Sequence, residues 1–295
     1  MSDVTKPVRR VLVVNKKTLF EKFADGSTFF PIKHLHRKGH GSMQWLNLAH
    51  REHKATLKRV VSFLKNKKVS FRVVTSPTQA QVHACDLVIT VGGDGTFLRA
   101  ARFTSKKPIV GINSSPQFSV GALCSIDAPQ CEKKLEKIFQ GKFRLNKFFR
   151  LCVFINGKKQ KFQAVNDVLF ANSIPAGTTR YWLEVDGKKE LQKSSGIWFS
   201  TSLGSTAGIH AAGGRVVPKK HPSLQFLVRE PFKKKGKSYQ LKHAILSKNK
   251  KIVLMNQTVQ AALYLDGIQA IYPLSYRDKI TISLSSDPIL VVSII

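Results

Sequence analysis

The sequence lacks an apolar run of the roughly 20 residues that a membrane-spanning helix needs. It is also poor in acidic residues, since 17 Asp and Glu stand against 49 Lys and Arg, a formal net charge of +32 over 295 residues. The first ten residues contain no apolar segment of the kind found in signal peptides. We therefore expect a cytoplasmic protein without a membrane partner.

Cysteines are few, and none of the four lies in the Cys-x2-Cys spacing typical of zinc sites. The cysteines are Cys85, Cys124, Cys131 and Cys152. Together with the missing signal segment, they predict reduced thiols in a reducing compartment. His34, His36 and His40, and the later pair His50 and His53, have no partner cluster with ligand spacing. No protein-held metal site is predicted.

Two widespread nucleotide-binding motifs are missing as well. The sequence has no Gly-x-x-x-x-Gly-Lys-Ser/Thr loop, and no Gly-x-Gly-x-x-Gly follows the first predicted strand, residues 11–14. These absences argue against a P-loop NTPase and against an ordinary dinucleotide-dependent dehydrogenase. The hydrophobic content of 42% and the chain length predict two folded domains with cores of their own.

The excess of positive charge predicts attraction to polyanions, of which nucleic acid is the usual first candidate. The lysines are scattered, however, and no regular pattern of aromatic residues accompanies them. The densest run, residues 231–251, contains eight lysines and no acidic residue, and Gly236 interrupts it. Two interpretations stay open, a solvated basic surface and a contact with a polyanion such as polyphosphate.

Residues 86–96, DLVITVGGDGT, are the most informative stretch. The apolar residues after Asp86 predict a central strand of a parallel sheet, buried on both faces. Three glycines then allow a sharp turn and the close approach of a ligand, and residues 96–102 predict a helix whose N-terminal amides face the same point. Asp94 places a carboxylate there, which suits the removal of a proton from a hydroxyl beside bound phosphates.

The order of predicted elements indicates an α/β first domain. Predicted strands cover residues 11–14, 71–74, 86–91 and 108–112. A helix over residues 43–67 and shorter helices alternate with them, which predicts a parallel sheet over residues 1–145. Ligands of such sheets bind beyond the carboxyl ends of the strands. We expect residues 92–96 and 113–124 to converge on that edge.

The second half of the chain has a different pattern of predicted secondary structure. Short strands and turns predict a mostly β domain over residues 146–275, followed by C-terminal strands over residues 276–295 for which a return to the first domain is one arrangement. A hairpin is predicted from residues 150–155 and 161–165, because the Asn-Gly pair at residues 156–157 favours a type I′ turn.

Three polar segments of the second domain are candidates for ligand contacts. The Asn-Asp pair at residues 166–167 follows a predicted strand, residues 162–165, and either grips a base or ribose or forms a simple turn. Residues 193–207 run from a strand into a turn of Ser, Gly and Thr before a predicted helix, residues 208–214, and such a turn offers amides and hydroxyls to phosphate or ribose. Asp266 follows an apolar strand.

In this order the motifs resemble the NAD kinase family over residues 11–284. The GGDGT segment at residues 92–96 resembles the catalytic loop, which diacylglycerol, sphingosine and 6-phosphofructokinase families share. Asn166-Asp167 resembles the Asn-Glu pair of the family. Residues 204–207, with Gly213-Gly214, resemble its Thr-Gly-Ser-Thr-Ala…Gly-Gly stretch. Asp266-Gly267 resembles its late Asp-Gly-Gln. Lipid kinases lack the Gly-Ser-Thr-Ala segment.

The sequence departs from the common family pattern at several positions. Ser195 stands in a Ser-Ser-Gly segment where many members have Gly-Asp-Gly, Asp167 replaces Glu, and Gly208 replaces Tyr. Residues 113–124 also differ from the usual Gly-His-Leu-Gly-Phe form. The Ser-Ser-Gly segment and the ending of that loop resemble the plant NADH-preferring and mitochondrial-type branch.

The resemblance implies phosphorylation of the 2′-hydroxyl of the adenosine ribose of NAD or NADH. Asp94 would be the catalytic base, and Gly93, Gly95 and Thr96 would place the phosphates. The residues implied to hold the dinucleotide are Asn166, Asp167, Ser195, Thr206, Ala207 and Asp266. Also implied are ATP or polyphosphate as donor, Mg²⁺ or another divalent cation carried with the nucleotide, and a homodimer or homotetramer. The alternatives are a related kinase acting on a lipid or other hydroxyl compound, and a basic nucleic-acid-binding protein with a kinase-like fold.

Overall fold

The computed structural model describes residues 7–24, 41–232 and 238–295. The chain divides into two compact units. Unit 1 comprises Met1–Asn146 and Leu290–Ile295, and unit 2 comprises Lys147–Ile289. None of the helices within the described ranges is long and apolar enough to cross a membrane.

The helices and strands are numbered in chain order. The strands are β1 Arg10–Asn15, β2 Ser70–Val74, β3 Leu87–Gly92, β4 Pro108–Asn113, β5 Ile126–Asp127, β6 Phe143–Phe148, β7 Leu151–Ile155, β8 Lys158–Lys159, β9 Asp167–Asn172, β10 Thr179–Val185, β11 Lys188–Ser194, β12 Ile197–Thr201, β13 Ser223–Val228, β14 His243–Ser247, β15 Lys251–Asn256, β16 Ala261–Leu265, β17 Ala270–Leu274, β18 Lys279–Leu284 and β19 Ile289–Ile294. The helices are α1 Leu19–Ala24, α2 Gly41–Asn66, α3 Gln79–Ala84, α4 Asp94–Ala101, α5 Cys131–Phe139 and α6 Gly208–Ala211.

Unit 1 is built on a seven-stranded sheet with the strand order β2-β1-β3-β4-β19-β6, and β5 pairs with β4. The ladders that join β2, β1, β3, β4 and β19 are parallel. Every residue of β3 is buried, as expected of a central parallel strand. The register pairs Asn15 with Val91 and Gly92 with Asn113. The carboxyl ends of β1, β3 and β4 therefore lie side by side.

Helix α2 covers the sheet of unit 1 with the apolar stripe that the sequence predicts. Val60 and Leu64 are fully buried and belong to the same core cluster as Val13 and Ile89 of the sheet. The observed helix ends one residue before the predicted limit of residue 67. The predicted α/β parallel-sheet domain is confirmed.

Unit 2 contains two six-stranded sheets, ordered β11-β10-β15-β18-β7-β8 and β14-β13-β12-β9-β16-β17. The strand pairs within both sheets are antiparallel. One hydrophobic cluster takes buried residues from both sheets. In it Phe170 of β9 meets Tyr181 of β10 edge to face, with ring centroids 5.2 Å apart. The predicted mostly β domain is confirmed.

Two local predictions in unit 2 are wrong. Asn156 and Gly157 do form the predicted turn, with φ values of 49° and 79°, but the strand that returns from it is Lys158–Lys159 and not residues 161–165. In the predicted strand only Ala164 pairs, through a single bridge to Leu151. The two-residue turn brings Lys158 and Lys159 back opposite Ile155 and Phe154, so the returning strand begins directly after Gly157. The predicted helix over residues 208–214 is a single turn.

The last two strands of the chain belong to different sheets. Strand β18 lies between β15 and β7 in unit 2. Strand β19 pairs in parallel with β4 in unit 1, where Leu290 stands opposite Pro108. The segment 276–295 therefore divides between the two units.

Candidate active site

The glycine turn, residues 92–96, joins β3 to α4. The helix begins at Asp94, two residues earlier than predicted, with Gly93 as its N-cap. The carbonyl oxygen of Gly93 accepts the amides of Thr96 and Phe97 at 3.0 and 3.2 Å. Asp94 is therefore the first residue of the helix, where the helix dipole favours a negative charge.

Two glycines of this turn are packed too closely to carry a side chain, and the third is open. A Cβ on Gly92 would lie 2.3 Å from the hydroxyl oxygen of Thr96, and one on Gly93 would lie 2.3 Å from that of Ser119. A Cβ on Gly95 would have no atom within 4 Å. The exposed backbone at Gly95 is thus the part of the turn with space above it for a bound group.

The Asp94 carboxylate is held by the loop after β4, a contact that the sequence did not reveal. Its Oδ1 atom accepts the amide of Leu123 at 2.8 Å, and its Oδ2 atom accepts the amide of Ala122 at 3.0 Å. A carboxylate oxygen has two acceptor sites, so each oxygen keeps one for a substrate hydroxyl. The side chain is half-buried and fixed in orientation before any ligand binds.

The 113–124 loop packs directly on the glycine turn, as its position at a strand end predicted. The amide of Ser114 donates to Gly92 O at 3.1 Å, and the Asn113 side chain donates to Ser119 O at 2.8 Å. Gly121 turns the loop with φ +64°, and a Cβ there would lie 2.4 Å from the Asn113 side-chain nitrogen. Burial and the negative charge of Asp94 raise the pKa of the Cys124 thiol to about 12, so this thiol stays protonated.

A buried histidine supports the same loop from α2. His53 has no exposed surface, and its Nδ1 atom lies 3.0 Å from the Ser114 hydroxyl oxygen. Its Nε2 atom is buried without a partner. Burial and the positive charges of Lys16 and Lys54 lower the pKa of His53 to about 4, so the ring is neutral. From the sequence, His53 was a candidate only for metal binding, and its contact with Ser114 was not predicted.

In unit 2, Asp266 organises the start of β9. It lies in the turn between β16 and β17 with φ +49°. Its carboxylate accepts the amides of Val165, Asn166 and Asp167 at 2.9, 2.7 and 3.2 Å, and its own amide donates to Asp167 O at 2.9 Å. These contacts give Asp266 a positioning role toward residues 166–167. A direct contact with a dinucleotide stays a prediction.

The Asn166-Asp167 pair lies at the start of a strand and not at a strand exit as predicted. Asp167 is 5% exposed, and the amide of Gly208 donates to its carboxylate. Burial and the neighbouring Asp266 raise the pKa of Asp167 to about 7. Burial also raises the pKa of Asp266, to about 6. The side-chain oxygen of Asn166 is buried without a hydrogen-bond partner, so an acceptor is available at this point.

The small-residue turn approaches the same pair. A Cβ on Gly204 would lie 2.1 Å from Asn166 O, so only glycine fits there. The turn continues as a 3-10 helix, Leu203–Thr206, in which Thr206 is exposed and the following Ala207 is half-buried. The structure thus brings Thr206 and Ala207 to the end of unit 2 that carries residues 166–167.

Ser195 is not brought to this cluster. It precedes β12, whereas residues 202–207 follow that strand. Asp167 pairs with Ser200, five positions from Ser195, which corresponds to about 17 Å at roughly 3.3 Å per residue. The amide of Ser195 donates to Arg229 O at 3.1 Å. Its predicted contact with the nicotinamide end stays a prediction.

Within the described ranges, no group of three or more His, Cys, Asp or Glu side chains is placed to hold a metal ion. His34, His36 and His40 lie outside those ranges. The Nδ1 atom of His50 lies 2.8 Å from the Thr18 hydroxyl.

Comparisons with known proteins identify the family. Residues 32–143 match the model of the ATP-NAD kinase N-terminal domain. The chain is 31% identical over 264 residues to a probable NADH kinase of Oryza sativa subsp. japonica, with 81% of each chain covered. It is 30% identical over 269 residues to an NADH kinase of Arabidopsis thaliana, with 83% and 84% covered.

Two solved structures share the fold. One is an NAD kinase from Archaeoglobus fulgidus in complex with ATP, with a TM-score of 0.70, 23% identity, and 96% and 92% of the two chains covered. The other is yeast NADH kinase complexed with NADH, with a TM-score of 0.72, 18% identity, and 98% and 84% covered. A parallel sheet that presents a glycine turn and a fixed carboxylate suits a phosphotransferase with an alcohol acceptor. The chain belongs to the NAD kinase family, which confirms the predicted family and enzyme class.

Proposed function

We propose that this protein transfers the terminal phosphoryl group of ATP to the 2′-hydroxyl of the adenosine ribose of NAD or NADH, giving NADP or NADPH. The observation that carries the proposal is the Asp94 carboxylate, fixed at the start of α4 by two amides and directly beside the open backbone of Gly95. The relatives named NADH kinase, and the related structures with ATP and with NADH, support it.

Asp94 acts as the general base. One carboxylate oxygen of Asp94 accepts the proton of the 2′-hydroxyl. At the same time the ribose 2′-oxygen forms a bond to the terminal phosphorus of ATP, and the bond from this phosphorus to the bridging oxygen of ADP breaks. Gly93, Gly95 and Thr96 place the phosphates at the positive end of α4. A base held in one orientation removes part of the entropic barrier to in-line attack.

The divalent cation enters with the donor. Magnesium binds proteins through few carboxylates and mainly through substrate phosphates, and both oxygens of Asp94 already accept backbone amides. We therefore take the substrate as the complex of ATP with Mg²⁺ or a similar cation. Polyphosphate is the second donor to test, since the +32 charge of the chain attracts long polyanions.

Unit 2 supplies the residues that hold the dinucleotide. Asn166 offers its buried side-chain oxygen and Asp167 its carboxylate. Thr206 offers a hydroxyl, and the small side chain of Ala207 leaves room for the ligand. Asp266 holds the backbone of this pair. The neutral Ser195 supports use of NADH at least as well as NAD, because no negative charge there attracts a cationic nicotinamide ring.

Two further features of the proposal concern the setting of the enzyme. We assign it to the cytoplasm, where the four cysteines, all free in the structure, would remain reduced. We also assign it a homodimeric or homotetrameric state, which the family resemblance implies.

The test is one assay of the purified protein with NAD or NADH as acceptor and ATP or polyphosphate as donor. Phosphorus NMR of the product distinguishes a 2′-phosphate from other esters, and the expected product carries the 2′-phosphate. Absence of product from both acceptors with both donors would overturn the proposal. Turnover of a lipid, or salt-sensitive binding to duplex DNA without turnover, would favour the two alternative classes.

A further inference from the structure

We propose that a pocket of unit 1 beside the glycine turn binds the base of the donor nucleotide. This inference rests on the proposed function and assigns one of its substrates a binding site. The pocket has a volume of about 530 Å³, which is within the range of small-molecule sites. Its lining residues are Lys16, Lys17, Thr18, Leu19, Lys22, Trp45, Leu46, Ala49, His50 and Phe118.

The pocket carries an aromatic pair that the core of unit 1 does not use. Trp45 of α2 is 60% exposed and Phe118 is 37% exposed. Their rings meet edge to face, with centroids 5.9 Å apart and an interplanar angle of 71°. Such an arrangement leaves broad ring faces open. Purine bases stack on exposed aromatic faces whatever their hydrogen-bonding pattern.

The lining of the pocket is also cationic. Lys16, Lys17 and Lys22 all line it. Lys16 is partly buried, and burial lowers its pKa, while the negative charge of Glu52 opposes that change. A nucleoside triphosphate would bring an apolar base and several negative charges, so it complements both the aromatic pair and the lysines. A polyphosphate chain has no base and would leave the aromatic pair without a partner.

The pocket adjoins the proposed phosphate site through backbone contacts. The amide of Lys16 donates to Val91 O at 3.2 Å, one residue before the glycine turn. Phe118 directly precedes Ser119, whose hydroxyl oxygen lies 2.3 Å from where a Cβ on Gly93 would stand. A base in the pocket can therefore extend its phosphates toward residues 92–96, with the terminal phosphate near Asp94.

The test uses Trp45→Ala and Trp45→Phe in the full-length enzyme, with Leu48→Ala as the matched control. Leu48 lies on the same helix, is 41% exposed and does not line the pocket. Trp45→Ala is expected to raise the KM for ATP about 10-fold or more, the effect of losing one stacked base, with kcat nearly unchanged. Trp45→Phe should recover most of the loss, and Leu48→Ala should match the wild type.

A ligand without a base separates base recognition from phosphate recognition. The inhibition constant of inorganic tripolyphosphate, measured against ATP, is expected to stay the same in Trp45→Ala. An unchanged KM for ATP in Trp45→Ala, or an equal loss of ATP and tripolyphosphate, would overturn the assignment. A change in the thermal midpoint of Trp45→Ala beyond that of Leu48→Ala, with no selective loss of ATP, would show a purely structural role.

Calorimetric titration of ATP in the absence of an acceptor separates this inference from the proposed function. Weaker ATP binding by Trp45→Ala supports the base site even if no NAD or NADH is phosphorylated. Equal ATP binding by both proteins rejects the base site even if the wild type phosphorylates NADH.

Discussion

The Oδ1 atom of Asp94 accepts a 2.8 Å hydrogen bond from the backbone amide of Leu123. The two residues are 29 positions apart, so the orientation of the proposed base depends on a loop that begins at the end of a different strand. The glycine turn and this loop are therefore structurally coupled. Substitutions in the loop should therefore change kcat even where the substituted residue contacts no substrate.

The first prediction concerns the base itself. Asp94→Asn keeps the shape of the side chain but removes its ability to accept a proton, so kcat should fall by roughly 10²–10⁴-fold. The KM for NADH should change little, because we propose that residues of unit 2 hold the dinucleotide. Steady-state kinetics measures both, with Asp127→Asn, an exposed Asp in the same unit, as the control. A kcat near the wild-type value would remove Asp94 from the mechanism.

The second prediction tests the loop through a pair of glycines. Gly121→Ala and Gly141→Ala both place a side chain at positive φ, at 64° and 76°, which costs roughly 1–2 kcal/mol. Only at Gly121 would the new Cβ collide with Asn113, since a Cβ on Gly141 meets nothing within 4 Å.

Gly121→Ala should therefore lose at least as much stability as Gly141→Ala. Only Gly121→Ala should lose turnover, by roughly 10-fold or more, because the loop amides move away from Asp94. Thermal unfolding and kcat are measured on the same preparations. Equal kcat values for the two variants would show that the loop does not control the base.

The third prediction concerns pH and His53. Its pKa is about 4 in the folded protein, against an ordinary value of 6.5, so between these values the unfolded chain binds more protons. Stability is fully present above pH 6.5 and is lost as the pH falls toward 4. From pH 7 to pH 5 this group alone removes about 2 kcal/mol, or roughly 4–8 °C in Tm.

His53→Asn should lower Tm at pH 7, because the buried ring is lost, but should also reduce the further drop between pH 7 and pH 5. His83→Asn, at an exposed position of α3, should keep the wild-type slope. If His53→Asn retains the full drop, other groups cause the acid sensitivity of the fold.

The fourth prediction concerns Asp167, whose raised pKa makes stability fall as the pH rises, the reverse of the effect of His53. Its folded value is about 7, against an ordinary value of 3.8, so the folded state holds the proton more tightly and this group lowers stability as the pH rises from 4 to 7. Asp167→Asn should therefore raise Tm at pH 8, by at least 2–4 °C or roughly 1 kcal/mol, with a smaller gain at pH 5.

The same variant should raise the KM for NADH, because the carboxylate that we propose to contact the dinucleotide is lost. Asp186→Asn, in an exposed turn of unit 2, provides the control at both pH values. A gain in Tm that does not depend on pH would show that burial of the ionised Asp167 carboxylate does not destabilise the fold.

Local sequence patterns predicted most of unit 1 and the position of its glycine turn. Residues 86–96 combine a buried strand, a turn and a helix start within one segment, so neighbouring residues determine the structure there. The pairing of the carboxyl ends of β3 and β4 follows from the parallel order of the sheet. Both Asp94 and the 113–124 loop could therefore be placed from the sequence.

Long-range contacts set the limits of prediction in unit 2. The Asp266 carboxylate reaches the amide of Val165 across 101 positions, a contact that the local pattern of residues 161–165 does not indicate. The burial of His53 against Ser114 depends on packing across 61 positions. The length of β12, which separates Ser195 from Asp167, follows from strand pairing that no local motif records.

Strand β19, the partner of β4 in unit 1, is made only after all of unit 2 has been translated. During synthesis, the parallel sheet that carries Asp94 receives β19 only after β18, the last strand of unit 2, has been made. Proteins in which contacts close across most of the chain fold slowly. We therefore expect the sheet of unit 1 to be completed late in folding, when β19 pairs with β4.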